Sequence, residues 1–174
     1  MILVLTGTTY AFNALVAAVD AIAPTLGERV VVQTGVSTVV PQHCGYFAFA
    51  PDLHRYIAEA SLVISHGGAG SSYEILGLGK RLVSVENTAV NDSHQWDLLQ
   101  RLDDDGYIVW CRDLGTLAAC IAAARTRTFT PYAPPPCTIH LEIIRFLETT
   151  ARGSMLTAPS GGAGGPKGPL PAAP

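Results

Sequence analysis

Short apolar runs separated by polar, glycine-containing turns set the rhythm of this chain. Ile2 to Thr6, Val30 to Gln33, Leu62 to Ser65, Arg81 to Val85 and Tyr107 to Cys111 each read as a strand, with Tyr46 to Phe49 a shorter one. Helical patterns fall between them. Phe12 to Ile22 has an apolar face, Asp52 caps a segment reaching Ala60, and Tyr73 begins another through Leu78. Asp92 to Leu102 and a segment capped by Asp113 and reaching about Arg125 complete the series. Strand and helix alternate throughout, which predicts an open α/β layout: a parallel sheet with helices on both faces. Ligands on such sheets sit outside the carboxyl ends of the strands. Residues 7–9, 33–35, 66–71 and 86–95 all follow strand ends, so they are expected to converge on one crevice.

Pro131 and Pro134-Pro135-Pro136 punctuate the end of this pattern, and Thr138 to Thr150 reads as one more amphipathic helix. Its Ile139, Ile143, Ile144 and Leu147 recur at helical spacing and suit either intramolecular packing or a partner. The expected division is a domain over 1–150 and a Gly/Pro/Ala-rich tail over 151–174, which cannot bury enough apolar surface to stay ordered.

Composition narrows the function classes. Hydrophobic residues make up 48% of the 174 and charged ones 14%, which describes a buried core. The net charge is −3 and the lysines are Lys80 and Lys167, so no basic stripe exists to neutralise nucleic-acid phosphates. No apolar stretch reaches membrane-span length, and no basic leader precedes the first strand. Cys44, Cys111, Cys120 and Cys137 lack metal or redox spacing and read as buried free thiols.

The most informative segment is Leu62-Val63-Ile64-Ser65-His66-Gly67-Gly68-Ala69-Gly70-Ser71-Ser72. Its glycines fall where a strand passes into a helix, and missing Cβ atoms there let backbone N–H groups approach an anion. The helix N-terminus adds unpaired donors and its positive dipole end. A phosphate-binding Walker loop would need a lysine where Ser71 stands, and a dinucleotide fingerprint would need a third glycine where Tyr73 stands. A tight strand-to-helix turn is the plain alternative; three glycines, His66 and two serines in seven residues favour a loop that holds a diphosphate.

Other polar clusters follow strand ends. Asn91-Asp92-Ser93-His94-Gln95 opens a helix, where Asp92 suits a cap and Gln95 can offer a donor and an acceptor to sugar hydroxyls. Glu74, one turn into the helix after the glycine loop, suits a ribose diol or a favourable charge near a helix N-terminus. Gly7-Thr8-Thr9 presents two hydroxyls, or caps the next helix. Asp103-Asp104-Asp105 precedes Gly106 at a helix end and reads as a solvated acidic turn rather than a metal site. His43, His54 and His140 have no ligand-spaced partners and read as structural or surface residues.

Four motifs, in order, resemble the Alg-thirteen family, the catalytic subunit of the two-part N-acetylglucosamine transferase of N-glycan assembly. They are Leu5-Thr6-Gly7-Thr8-Thr9; Gln33-Thr34-Gly35 with Thr38-Val39-Val40-Pro41; Ala60-Ser61 through Ser71; and Asn91-Asp92-Ser93-His94-Gln95. The resemblance spans roughly Ile2 to Cys111 and extends to bacterial and archaeal polysaccharide-synthesis relatives within the C-terminal half of family-twenty-eight glycosyltransferases. Thr6 replaces a frequent valine, and Gly68 stands where eukaryotic members often carry alanine.

This resemblance implies a single Rossmann-like sheet equivalent to the donor-binding half of a GT-B enzyme that inverts the anomeric centre. Gly67, Gly68, Ala69, Gly70, Ser71 and His66 would hold the UDP diphosphate without a metal or other cofactor, and Glu74 the ribose. Phe49, Ala50 and Leu53 would flank the uracil. Gly7, Gln33 and Gly35 complete the donor side; Asn91, Asp92, His94 and Gln95 would orient the sugar; Thr8 and Thr9 would face the acceptor, with His66 a candidate base. The implied reaction transfers N-acetylglucosamine from its UDP derivative to a polyprenyl-diphosphate-linked sugar in N-glycan precursor synthesis. It requires a membrane-anchored, Alg-fourteen-like acceptor-binding partner that recruits this chain from the cytoplasm to a membrane. Two alternatives remain at this point: a capsule or exopolysaccharide subunit using another UDP-sugar, and a non-catalytic nucleotide-sugar module.

Overall fold

The computed structural model describes residues 1–89 and 93–155, and their side chains except at 93, 94 and 151–155. Six strands form one sheet: β1 (Ile2–Leu5), β2 (Val30–Gln33), β3 (Gly45–Phe47), β4 (Leu62–Ser65), β5 (Leu82–Val85) and β6 (Val109–Cys111). The helices are α1 (Asn13–Ile22), α2 (His54–Glu59), α3 (Ala69–Gly77), α4 (Ser93–Asp104), α5 (Leu117–Thr126) and α6 (Ile139–Met155), with short 3-10 turns at Ala23–Thr25 and Leu114–Thr116. All pairings are parallel, in the order β3-β2-β1-β4-β5-β6. The α/β parallel sheet expected from the sequence is therefore present.

Continuous apolar runs make these strands because both faces are covered. β1, β2, β4 and β5 are buried at every position. Alternate residues serve opposite layers. Ile2 and Val4 pack with Leu15, Val16 and Val19 of α1 and Leu117 and Ile121 of α5. Leu3 and Leu5 pack with Ile57 of α2, Ile75 and Leu76 of α3, and Leu99 and Leu102 of α4. At about 25 cal/mol per Å² of apolar surface, each such side chain contributes roughly 1.5–3 kcal/mol when fully buried.

Several boundaries differ from expectation, each for a local reason. α3 begins at Ala69 rather than Tyr73, so most of the glycine loop is the helix's first turn. Glycine and serine weaken helix interiors but are tolerated at a first turn, where the amides have no intrahelical partner. β3 starts at Gly45 and ends at Phe47, because the sheet edge supports only three residues. Asp52 is not the cap residue expected: Leu53 holds the cap position of α2 without a side-chain cap, and Asp52 Oδ1, one residue earlier, accepts from the His54 amide at 2.8 Å. The capping role expected of Asp92 lies outside the described residues. Cys44 and Cys111 are buried free thiols, but Cys120 is only half-buried and Cys137 is exposed on a proline-rich segment.

The chain divides into two units, with the boundary between Pro134 and Pro135. In the second, α6 runs to Met155 rather than ending at Thr150. Its Ile139, Ile143, Ile144 and Leu147 are exposed. The remainder of the expected tail, 156–174, lies outside the described residues. No helix among them is long and apolar enough to cross a membrane.

Two carboxylates fasten the loops on the first unit. Asp20 of α1 accepts from the amides of Gln42, His43 and Cys44. Glu28 accepts from Ser61 Oγ and Arg125 Nη2 and pairs with the Met1 ammonium at 2.9 Å. Burial raises the Glu28 pKa, yet these hydrogen bonds and the nearby ammonium outweigh it and hold the group near 2, against an ordinary 4.5. Asp20 is also lowered, burial again being outweighed by its amide donors. Both lowered values stabilise the fold fully above the unfolded pKa values, and that stability drains as pH falls through about 4.5 toward 2. Thermal melts across pH 6 to 2.5 should show this loss, and Glu28→Gln should flatten the slope. An unchanged slope would mean that Glu28 is not the coupled group.

Candidate functional site

The crevice lies where the strand order reverses. β1 leads away to β2 on one side, while β4 leads to β5 on the other, so the loops after Leu5 and Ser65 diverge at the sheet centre. The His66 amide donates to the Leu5 carbonyl at 3.0 Å, which sets the imidazole between these loops. A Cβ on Gly68 would lie 2.5 Å from His66 Nε2, and one on Gly7, whose φ is +79°, would lie 3.0 Å from it. These two glycines therefore make room for an imidazole, not directly for an anion as the sequence suggested. Gly35 does a similar service, its missing Cβ admitting the Gly7 carbonyl, and Gly67 packs against Leu99. Gly70 is different: a Cβ there would meet nothing within 4 Å. At Gly70 the backbone is open to a ligand.

That opening coincides with the donors. Gly68 is the extended residue before α3, with no side-chain cap, and the first intrahelical hydrogen bond runs from the Ser72 amide to the Gly68 carbonyl. The amides of Ala69, Gly70 and Ser71 are the unpaired first-turn donors of a nine-residue helix, at its positive dipole end. One turn on, Glu74 is exposed and its Oε1 stands 3.5 Å from His54 Nε2 of α2. Phe49 is exposed and Leu53 half-buried, both on the segment between β3 and α2. Gln33 is buried at the end of β2, where its carbonyl accepts from Thr6 Oγ1 at 2.9 Å.

A cavity of about 160 Å³ adjoins this cradle, lined by Thr6, Gly7, Thr8, Thr9, Tyr10, His66, Asn87 and Gln95. The loops after β1, β4 and β5 and the first turn of α4 therefore do converge, whereas residues 33–35, expected with them, do not line this cavity. Asn91, Asp92 and the side chain of His94 lie outside the described residues. Burial lowers the His66 pKa below its ordinary 6.5, only partly opposed by the backbone hydrogen bond with Leu5. His66 is thus neutral at pH 7, with one ring donor and one lone pair. Asn87, missed in the sequence, is buried and anchors the crevice floor by donating Nδ2–H to the Ala11 carbonyl at 3.1 Å. An isolated asparagine after a strand has no spacing that would betray it.

A larger cavity, about 440 Å³, lies at the opposite end of the strands among Lys80, Tyr107, Arg127 and Tyr132. Two of its cations are already engaged, Lys80 by the Ala58 and Ala60 carbonyls and Arg127 by the Ile108 carbonyl and Asp103. Size alone does not make it the chemical centre. Within the acidic run, Asp103 pairs with Arg127, Asp105 with Arg101, and Asp104 accepts from Gln100.

Residues 1–112 match the family described as the glycosyltransferase family 28 C-terminal domain. The chain is 40% identical over 90 residues to the UDP-N-acetylglucosamine transferase subunit ALG13 of Homo sapiens, covering 48% of this chain and 8% of that protein. The Mus musculus subunit is 40% identical over 118 residues, 60% of this chain and 10% of the relative. The chain thus spans a tenth or less of these two relatives. Among solved structures, the solution structure of ALG13 aligns with a TM-score of 0.56 at 20% identity, covering 82% of this chain and 93% of that one. MurG of Acinetobacter baumannii aligns at 0.63 and 19% identity, covering 84% and 49%. Both show the fold. The Streptomyces glycosyltransferase SsfS6, solved with thymidine diphosphate, aligns at 0.56 and 27% identity over 73% of this chain and 33% of its own.

Proposed function

The chain belongs to the glycosyltransferase family 28 C-terminal domain family, and from that membership we propose that it is the donor-binding half of a UDP-sugar glycosyltransferase. The observation that carries this reading is the open backbone at Gly70, beside three unpaired amides and a neutral imidazole at the reversal of strand order. The named relatives are UDP-N-acetylglucosamine transferase subunits, and a nucleoside diphosphate is bound in the SsfS6 structure. The first supports UDP-N-acetylglucosamine as the donor, and the second supports a nucleoside diphosphate in the cradle.

In this reading the amides of Ala69, Gly70 and Ser71 hold the diphosphate and stabilise it as negative charge develops on departure. The His66 ring N–H adds a neutral donor. Glu74 accepts from the ribose diol, with His54 holding its second oxygen's side, and Phe49 and Leu53 flank the base. Gln95, with Asn91, Asp92 and His94, orients the sugar. An acceptor hydroxyl enters past Thr8 and Thr9 and attacks the anomeric carbon opposite the diphosphate. One carbon–oxygen bond forms as the bond to the diphosphate breaks, the configuration inverts, and UDP departs. The hydroxyl proton passes to a base that the second half of the enzyme supplies. No metal is required, because amides and the helix dipole meet the charge.

The acceptor proposed is a polyprenyl-diphosphate-linked sugar presented by a membrane-anchored partner of the Alg-fourteen type, which brings this chain to the membrane from the cytoplasm. The exposed apolar stripe of α6 is one surface that such a partner would cover. Calorimetry tests the donor assignment: UDP and UDP-N-acetylglucosamine should bind equally well with and without chelator. Gln95→Ala should weaken the nucleotide sugar about tenfold, as for a lost polar contact, and leave UDP unaffected. Metal-dependent binding, or an equal loss for both ligands, would refute the assignment of the amides or of Gln95 respectively.

A further inference from the structure

Five buried side-chain polar atoms among the described residues have no hydrogen-bond partner: Ser65 Oγ, His66 Nδ1, Ser72 Oγ, Ser84 Oγ and Trp110 Nε1. Most buried polar groups are paired, so such a concentration needs a cause. All five lie on β4, α3, β5, β6 or the loop between β4 and α3. Register brings three of them into line. Ser65 pairs across the sheet with Ser84, and Ser84 with Trp110. Strand alternation puts Ser65 on the face of Val63 and Ser84 on the face of Leu82, which both belong to the layer under α3 and α4. Ser72 sits three and four residues before Ile75 and Leu76, whose side chains pack in that same layer. α3 itself rests on β4 and β5. Ser65, Ser72 and Ser84 each have 0% exposure.

We propose that Ser65, Ser72 and Ser84 enclose an internal water that ties the first turn of α3 to the sheet. The chemistry selects water. Each hydroxyl can donate or accept, so a molecule with two donors and two acceptors satisfies all three. A cation would need a carboxylate or free carbonyl, and the described residues hold no cluster of metal-ligating side chains here. An anion would need a cationic donor, and none of the described side chains donates to these hydroxyls. Buried waters commonly make about three hydrogen bonds to groups of this kind. The tie matters because Ser72 follows directly on the three amides that face the ligand. A water-bridged turn holds those amides at a fixed height above the sheet. The water site stands on the buried hydroxyls alone; its consequence for the donor rests on the function proposed above.

The test is a double-mutant cycle read by thermal unfolding without nucleotide, together with water-to-amide NMR cross-peaks. Ser65→Ala and Ser84→Ala should each lower Tm by about 3 °C, the scale of one lost hydrogen bond in a chain of this size. The double variant should fall by about the same 3 °C, because the water leaves with the first hydroxyl. A long-lived water cross-peak at the Ser72 amide should vanish in each single variant. Additive losses, or no such cross-peak in the unmodified chain, overturn the proposal. For the consequence, Ser84→Ala should weaken UDP about fivefold, while Ile121→Val, with a matched thermal loss in the opposite layer, should leave it unchanged. Equal UDP affinity in both variants would sever the water from the donor. If the unmodified chain binds no UDP, the donor assignment fails and the unfolding cycle still decides the water.

Discussion

Gly68→Val is expected to abolish UDP binding, a loss of at least about a hundredfold, while the protein still folds. The backbone itself accepts the change, since Gly68 has φ −65° and ψ 137°, open to any residue. The obstacle is the imidazole: an added Cβ would stand 2.5 Å from His66 Nε2, and His66 has Gly7 on its other side. The ring must leave the crevice or force the first turn of α3 outward. Either movement breaks the geometry of charge-assisted hydrogen bonds that are each worth roughly 1.5–3 kcal/mol. Gly70→Ala separates the two effects. Its Cβ meets no protein atom within 4 Å, and replacing a glycine whose backbone suits alanine stabilises by about 0.4–1 kcal/mol by restricting the unfolded chain. That variant should melt higher and still bind UDP at least about tenfold more weakly. Calorimetry and a thermal melt on both variants decide the matter; undiminished affinity in either would mean that no anion rests on these amides.

The second large effect concerns turnover. The isolated chain should transfer sugar at least about a thousandfold more slowly than the same chain with the proposed acceptor-binding partner, a difference of about 4 kcal/mol in barrier. One Rossmann-like sheet supplies one wall of a cleft. The cavity beside Thr8, Thr9 and Gln95 holds about 160 Å³, too little to immobilise a lipid-linked acceptor as well as a donor sugar. Attack in line with the departing diphosphate requires the acceptor to be held on the opposite wall. Radiolabelled sugar transfer, measured with the chain alone and with a co-expressed membrane partner, gives the ratio. Comparable rates would make this chain a complete enzyme and end the two-part reading.

The sheet was legible because burial on both faces leaves no room for polar alternation: Ile2–Leu5, Val30–Gln33 and Leu62–Ser65 announce themselves as unbroken apolar runs. The loops ending those strands were legible as glycine, threonine and histidine clusters, and the structure brings residues 7–9, 66 and 95 around one cavity. What each glycine does was not legible. The sequence shows three glycines in four positions, but only packing distinguishes Gly68, which admits a side chain of the protein, from Gly70, which faces open space. The start of α3 was misplaced for a related reason: Gly70, Ser71 and Ser72 read as loop by composition, yet they form the helix's first turn. The His54–Glu74 pair and Asn87 depend on contacts between segments distant in sequence, which no local pattern encodes.

The order of strands also bears on how the chain comes into being. β1 is first in sequence and central in the sheet, and Ile2 pairs with Val30 on one side and Leu62 on the other, 28 and 60 residues later. At synthesis rates of roughly 5–20 residues per second, β1 waits about 3 to 12 s for its second neighbour. During that interval an Ile-Leu-Val-Leu segment has an unpaired edge. Sheets built from such distant pairings also fold slowly even when complete. Slower translation over residues 34–61 would lengthen the exposure, so codon choice there is a lever on the yield of folded protein that leaves every side chain untouched.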